Sequence, residues 1–214
     1  MADEAAPTRT ERKRTAILDT ATTLFLTNGF RGTTMDEIAA KAEVSKQTVY
    51  KQFEDKELLF RSIVDRITSN AGAIVDAINT AFGPEEITRA ELRDRLIAVG
   101  RVYVDGVLDP RVRSLRRLII AEADRFPDLA AQYYELGPGQ GIATMATHID
   151  ACTRAGILEA EDSMTAAQHF AYLVVGAPID HALFHPTTVW SRSDRDEHVN
   201  RAVDAFLSGY ATDS

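Results

Sequence analysis

Apolar residues along this 214-residue chain recur three and four positions apart, and no run alternates with the period of two that a half-buried strand requires. Ile17, Leu18, Ala21, Leu24 and Phe25 predict a first helix from about Glu11 to Asn28, closed by Gly29, with Phe30 folding back on the last turn. Met35, Ile38, Ala39 and Ala42 predict a second helix opening at Thr34, where Thr34 and Glu37 have capping-box spacing. Ser45 reads as the N-cap of a third helix, with Val44 and Val49 placed as a hydrophobic staple. Asp55 reads as the cap of a fourth, whose stripe of Leu59, Ile63, Ile67, Ile74 and Ile78 predicts one long helix to about Ala81. Gly83 and Pro84 then break a loop over 82–88.

The same period continues to the end of the chain. Leu92, Leu96, Val99, Tyr103 and Val107 mark a helix ending near Asp109-Pro110. Leu115, Leu118, Ile119, Ala123 and Phe126 mark the next, ended by Pro127. Another starts near Asp128, is interrupted at Gly137-Pro138-Gly139 and resumes to Arg154, where Gly156 stops it. Met164 to Phe184 is apolar almost all round, and Val199, Val203, Phe206 and Tyr210 mark a last helix from His198. The pattern predicts an all-α fold of about nine helices with no internal repeat.

Composition narrows the class. An apolar share of 45% supports a real core in one large domain or two small ones. The longest apolar run, Phe170 to Ile179, is too short for a bilayer and is interrupted by Gly176 and Pro178. The opening MADEAAPTRTERKR has no apolar core for a secretory signal, and the single Cys152 cannot form an internal disulfide. A cytoplasmic protein is expected. The net charge of −8, taken over the whole chain, opposes an encounter with nucleic acid. Residues 1–56, however, hold 9 Lys+Arg against 9 Asp+Glu, so the rest holds 24 − 9 = 15 against 32 − 9 = 23. The whole excess of acid lies outside the first three predicted helices, and local charge governs an encounter with phosphate.

Residues 34–56 read as two short helices joined by a tight turn, with a third helix directly behind: a helix-turn-helix. On the second of these helices, Lys46 can reach guanine O6 and N7, Gln47 can pair with adenine, and the Thr48 methyl can touch a thymine methyl. Tyr50 and Lys51 lie where a phosphate would pass. Lys56 at the start of the fourth helix, and Thr33 and Thr34 at the start of the second, stand at helix N-termini that favour anions. Arg9, Arg12, Lys13 and Arg14 precede or open the first helix and are placed to follow the backbone or enter a minor groove.

The stretch ATTLFLTNGFRGTTMDEIAAKAEVSKQTVYKQFEDKELLF resembles the N-terminal domain of the TetR family of bacterial transcriptional regulators over about residues 12–60. The Gly-Phe after the first helix, the Thr-Thr before the second, and Val-Ser-x-x-Thr-aliphatic-Tyr-x-x-Phe carry the likeness. The resemblance implies that Lys46, Gln47 and Thr48 read bases while Thr34, Tyr50, Gln52 and Lys56 hold phosphates. Two positions depart from the family pattern. Glu43 stands where the turn usually has Gly, at a small backbone cost, and Gln52 stands where His or Tyr is common. Residues 118–138, LIIAEADRFPDLAAQYYELGP, resemble the C-terminal domain of the AcrR-like and AefR-like branch, which implies a helical ligand-binding and dimerisation domain.

The expected organisation is therefore a flexible arm over 1–10, a three-helix DNA-binding domain over 11–56, and a ligand-binding and dimerisation domain over 57–214. Pocket candidates are Tyr103, Ile119, Glu122, Phe126, Tyr133, Met145, His148, Ile149, Phe170 and Leu173, with the Glu122 carboxylate beside an apolar stripe able to meet a cation or a neighbouring arginine. A helix apolar on more than one face needs a partner on each, so Val174, Val175, Ile179 and Leu183, with Val199, Val203, Phe206 and Tyr210 of the last helix, are interface candidates in a homodimer. A dimer would read a palindromic operator as a repressor, with a small hydrophobic or amphipathic effector releasing it by moving the fourth helix. An activator, a ligand-independent regulator, and a helical small-molecule-binding protein or enzyme without DNA binding are the alternatives. No Gly-rich phosphate loop or nucleophile elbow supports an enzyme, and no cofactor is implied. His181 and His185, four apart, lack a third ligand and read as a helix-end pair rather than a metal site.

Overall fold

The first helix begins earlier than the apolar stripe indicates, because a capping box precedes it. In the computed structural model, which describes residues 8–68, 72–83 and 87–212, Thr8 Oγ1 accepts from the Glu11 amide and Glu11 Oε2 accepts from the Thr8 amide. α1 therefore spans Arg9–Asn28. Residues 8–10 of the expected arm are cap and helix, and the remainder of that arm lies outside the described residues. Gly29 ends α1 at φ 75°, which a side chain disfavours. Phe30 then stacks on Phe25 with ring centroids 5.7 Å apart. α2 (Met35–Lys41), α3 (Lys46–Phe53) and α4 (Lys56–Thr68) follow, the first two capped by Thr34 and Ser45 as the sequence predicts. Asp55 Oδ1 accepts from the Leu58 amide at 2.8 Å and so caps α4.

The helix expected to run from Asp55 to Ala81 is not described as one element. α4 ends at Thr68, residues 69–71 lie outside the described residues, and α5 spans Gly72–Phe82. The chain forms two compact units that divide there. The first holds residues 1–69 together with 114–133, and the second holds 70–113 and 134–214. The further helices are α6 (Arg89–Leu108), α7 (Pro110–Glu122), α8 (Pro127–Tyr134), α9 (Gln140–Arg154), α10 (Ser163–Phe184) and α11 (Arg192–Tyr210). Most of α7, and α8 up to Tyr133, thus belong to the first unit, beside the helix-turn-helix.

The core of the first unit shows why. Phe25, Phe30, Phe60, Ile38, Val49 and Phe53 are joined by Leu115, Leu118, Ile119, Phe126 and Leu129 in one apolar cluster. Phe126 meets Phe30 edge-on at 5.1 Å and Phe60 at 5.8 Å. At the rim, Arg61 of α4 bonds Asp128 of α8 at 2.6 Å, and Gln132 donates to Asp65 at 2.9 Å. Hydrogen bonding to Arg61 holds the Asp128 carboxyl below its usual range.

In the second unit α10 packs against α6, α9 and α11, and α5 against α6 and α9. Gly100 lets α6 approach α11 closely, since a Cβ there would lie 2.8 Å from Val199 Cγ1. The Gly137-Pro138-Gly139 interruption is not a loop. Residues Glu135–Gly139 form a π-helical turn with right-handed helical backbone at both flanks, a widening that accommodates the missing proline N–H and its ring. α10 runs unbroken through Pro178, which cannot donate to the Val174 carbonyl four residues earlier. His198 Nε2 of α11 takes that carbonyl at 2.8 Å. α11 starts six residues earlier than expected, at Arg192, because Ser191 and Asp194 form a capping box. Ile157–Leu158 lies beside the chain end through a single bridge, Leu158 to Ala211. No described helix is long and apolar enough to cross a membrane.

Candidate nucleic-acid interface

The turn between α2 and α3 needs one residue with left-handed backbone. Ala42 and Glu43 amides close on Ile38 and Ala40 carbonyls, and the Val44 amide on Ala39. Glu43 takes φ 54°, the left-handed region its glycine-preferring position requires. Val44 is half-buried against the core that wholly buries Val49. Ser45 Oγ accepts from the Thr48 amide at 3.1 Å and caps α3. With Val49 and Phe53 turned into the core, α3 exposes Lys46, Gln47, Tyr50 and Lys51 on its outer face. Tyr50 is 50% exposed, far more than an aromatic on a four-helix core needs to be.

Each expected contact residue finds a place on this surface or is removed from it. Gln47 and Lys51 are exposed. Lys46 Nζ pairs with Asp36 Oδ2 of α2 at 2.6 Å, an exposed pair. Such a pair is worth about 0–1 kcal/mol, so a guanine can displace the carboxylate. Asp36 is a residue the sequence reading passed over, because ten positions separate it from Lys46 and no helical period links them. Thr48 is half-buried, and its hydroxyl shares a hydrogen bond with Ser45 Oγ at 2.8 Å. Thr34 is exposed at the α2 N-terminus, where its oxygen accepts from the Glu37 amide at 3.1 Å and its hydrogen remains available to an anion.

Gln52 is half-buried, and its carbonyl accepts from Arg14 Nη1 at 3.3 Å. The Arg14 guanidinium also lies over the Phe53 ring, 4.3 Å from its centroid. Arg14 therefore braces α1 against the end of α3, and Arg9, Arg12 and Lys13 are also residues of α1 rather than of a free arm. A surface concavity of about 600 Å³ opens there, and Arg14, Tyr50, Lys51, Gln52, Arg61 and Asp65 are among the residues that line it.

Two expected phosphate contacts are placed otherwise. Thr33 is fully buried and its Oγ1 donates to the Gly29 carbonyl at 3.0 Å, so it cannot meet a phosphate. Lys56 is half-buried, and its Nζ donates to the carbonyls of Phe30 and Thr33, each at 2.9 Å. Burial, and then the nearby Arg125, pull its ammonium below the usual lysine range, while Glu122 acts in the opposite sense.

The ten pocket candidates do not share one unit. Ile119, Glu122, Phe126 and Tyr133 belong to the first, where Ile119 and Phe126 are core and Tyr133 packs on it. These four are structural neighbours of the helix-turn-helix. In the second unit Tyr103, Met145, Ile149 and Phe170 are core. The buried Tyr103 hydroxyl has no hydrogen-bond partner, and burial pushes it well above the usual phenol range. His148 stacks on Phe82 at 4.6 Å and bonds Asn79 at 3.0 Å. Leu173 is 41% exposed and faces away from that core.

Among the interface candidates, Val174, Val199, Val203 and Phe206 pack into the core of the second unit, and Ile179 is buried. Val175, Leu183 and Tyr210 are half-buried. The large apolar side chains that α10 does expose are Met164, Tyr172, Leu173 and Phe184, the last 81% exposed. His181 and His185 lie with rings 4.7 Å apart, and no group of three or more metal-ligating side chains occurs among the described residues. Cys152 is buried, which raises its thiol.

Comparisons with known proteins agree with this arrangement. Residues 17–63 match the family described as bacterial regulatory proteins, tetR family, and residues 94–212 match the C-terminal domain of AefR-like transcriptional repressors. The crystal structure of a TetR-family transcriptional regulator from Mesorhizobium loti superposes with a TM-score of 0.81 at 34% identity, covering 96% of this chain and 100% of that one. The flavonoid-responsive regulator FrrA gives 0.73 at 28% identity over 95% and 99%. The transcriptional activator FasR of Mycolicibacterium smegmatis is 26% identical over 92% of this chain and 80% of its own.

Proposed function

Because the chain belongs to the TetR family of bacterial transcriptional regulators, and is a DNA-binding regulator rather than an enzyme, we propose that it represses transcription by reading a palindromic operator as a dimer. The observation that carries the reading is the outer face of α3, where Lys46, Gln47, Tyr50 and Lys51 stand exposed above buried Val49 and Phe53. Lys46 and Gln47 are the base-reading residues and Thr48 adds a methyl contact. Thr34, Tyr50, Lys51 and the Gln52 amide position the head on phosphate oxygens. The chain works where the chromosome lies, in the cytoplasm.

The exposed α10 face supplies the proposed dimer contact. Tyr172, Leu173 and Phe184 are apolar side chains of α10 that one chain alone leaves in water. Two heads so joined bind half-sites about one helical turn apart. The repressor sense is supported by the AefR-like repressor match, and the related activator FasR marks the other outcome.

Release by a small hydrophobic or amphipathic effector is supported by the flavonoid-responsive neighbour and by the unpartnered Tyr103 hydroxyl in the second core. Coupling between effector and DNA is reciprocal. A flavonoid panel screened by thermal shift tests it. Compounds that raise the melting temperature should weaken binding to a duplex selected by the wild-type protein. A stabilising compound that left that affinity unchanged would sink the release mechanism.

A further inference from the structure

We propose that Lys56 is a positioning residue of the DNA-binding head and not a phosphate contact; the proposal rests on the DNA-reading function given above. Lys56 is the first residue of α4. Its Nζ donates to Phe30 O and Thr33 O, each at 2.9 Å, and stands 4.4 Å from the centre of the Phe30 ring. Both carbonyls belong to the segment between α1 and α2 that follows the left-handed Gly29. A carbonyl beyond a helix end needs a partner from elsewhere, and the ammonium supplies one to each. The Thr33 hydroxyl closes the same segment from inside through Gly29 O. The next residue, Thr34, caps α2 and presents its hydroxyl outward. Lys56 therefore sets the position of α2, and through the α2–α3 turn that of the reading helix.

The site around the ammonium is built from the later part of the chain. Arg125 lies over the same Phe30 ring at 4.9 Å and over Phe126 at 5.1 Å. Glu122 of α7 is buried, and its Oε2 has no hydrogen-bond partner. A buried carboxylate needs nearby positive charge, and the Lys56 ammonium stands close enough to interact with it. Lys56, Arg125, Glu122 and the edge-on pair Phe30 and Phe126 thus gather α4, the α1–α2 segment and the end of α7 around one site. Against phosphate binding stand the direction of the ammonium, toward main-chain carbonyls, and the acid beside it.

The test uses full-length protein, wild type and Lys56→Met, and a duplex selected by the wild type from a randomised pool. Methionine keeps the stem on Phe30 and removes the donors. Without DNA, amide exchange over residues 30–36 should accelerate about tenfold or more in the variant. Affinity for the duplex should fall by a similar factor, while the slope of log K against log salt stays that of wild type. A phosphate contact predicts unchanged exchange and a slope shallower by about 0.9 per protomer; that pair of results would overturn the proposal. Should Lys56→Met not fold, amine labelling of the wild type decides. Lys56 should label more slowly than exposed Lys51 with or without DNA. Equal labelling in free protein, with protection on DNA, would refute the positioning role. If the wild type selects no duplex, the DNA-reading function fails, while the exchange and labelling arms still decide where the ammonium is held.

Discussion

At the scale of single residues, the strained turn and the reading face are the sharpest features. Glu43 at φ 54° holds a conformation that glycine adopts freely. Relief of the left-handed strain outweighs the extra freedom glycine gives the unfolded chain, so Glu43→Gly should stabilise the protein by about 0.5 kcal/mol. A shift of the urea midpoint upward checks it, and a downward shift contradicts it. This position was legible in the sequence, since caps on both sides fixed where the turn must lie. The partners of Lys46 and Lys56 were not. Asp36 is ten residues from Lys46, and Phe30 and Thr33 are more than twenty from Lys56. Helix-terminus electrostatics placed Lys56 at an anion site, and only the packed α1–α2 segment shows that its ammonium faces inward. Thr33 failed for the same reason: its neighbour Thr34 is the exposed one, and a Thr-Thr pair does not say which faces the core.

At the scale of elements, periodicity located nearly every helix, while the grouping of helices needed the structure. α7 and α8 follow α6 in sequence, yet Leu118, Ile119 and Phe126 fill the core of the head. An apolar stripe says that a face is buried, not against what. The head is therefore built from two separated stretches of chain. Phe126→Ala should cost about 3–5 kcal/mol and destabilise the helix-turn-helix itself. Amide exchange in α1–α4 reads this directly; exchange that accelerated only in the second unit would contradict it. The second element-level result is the exchange of partners at Pro178. The proline leaves the Val174 carbonyl without its helical donor, and His198 supplies one. His198→Leu should cost about 1–3 kcal/mol in the wild-type background. In Pro178→Ala the helix regains its own N–H, and the cost should shrink. A double-mutant cycle with no coupling would show that His198 acts elsewhere. Neither Pro178 nor the π-helical turn at Gly137-Pro138-Gly139 ended its helix as proline usually does, because a neighbouring side chain or a widened turn absorbed the defect.

At the scale of the whole molecule, charge and apolar surface are separated by task. The head carries balanced charge and the excess acid lies beyond residue 56, so a chain of net charge −8 still offers phosphate a locally hospitable face. The buried candidates, Val174 of α10 and Val199 and Val203 of α11, pack into the core of their own unit. What remains outside, Tyr172, Leu173 and Phe184, supplies the proposed pairing contacts. Leu173→Asp should convert dimer to monomer in sedimentation and lower operator affinity by at least about tenfold; a dimer that survived it would place the contact elsewhere. The central claim is that α3 reads bases in a two-fold arrangement. Footprinting of wild-type and Gln47→Ala protein on the selected duplex tests it most directly. Two protected half-sites related by a dyad are predicted, with the variant weakened by about 1–3 kcal/mol and relaxed at one base position in each half-site. Asymmetric protection, or a variant with unchanged base preference, would contradict the account.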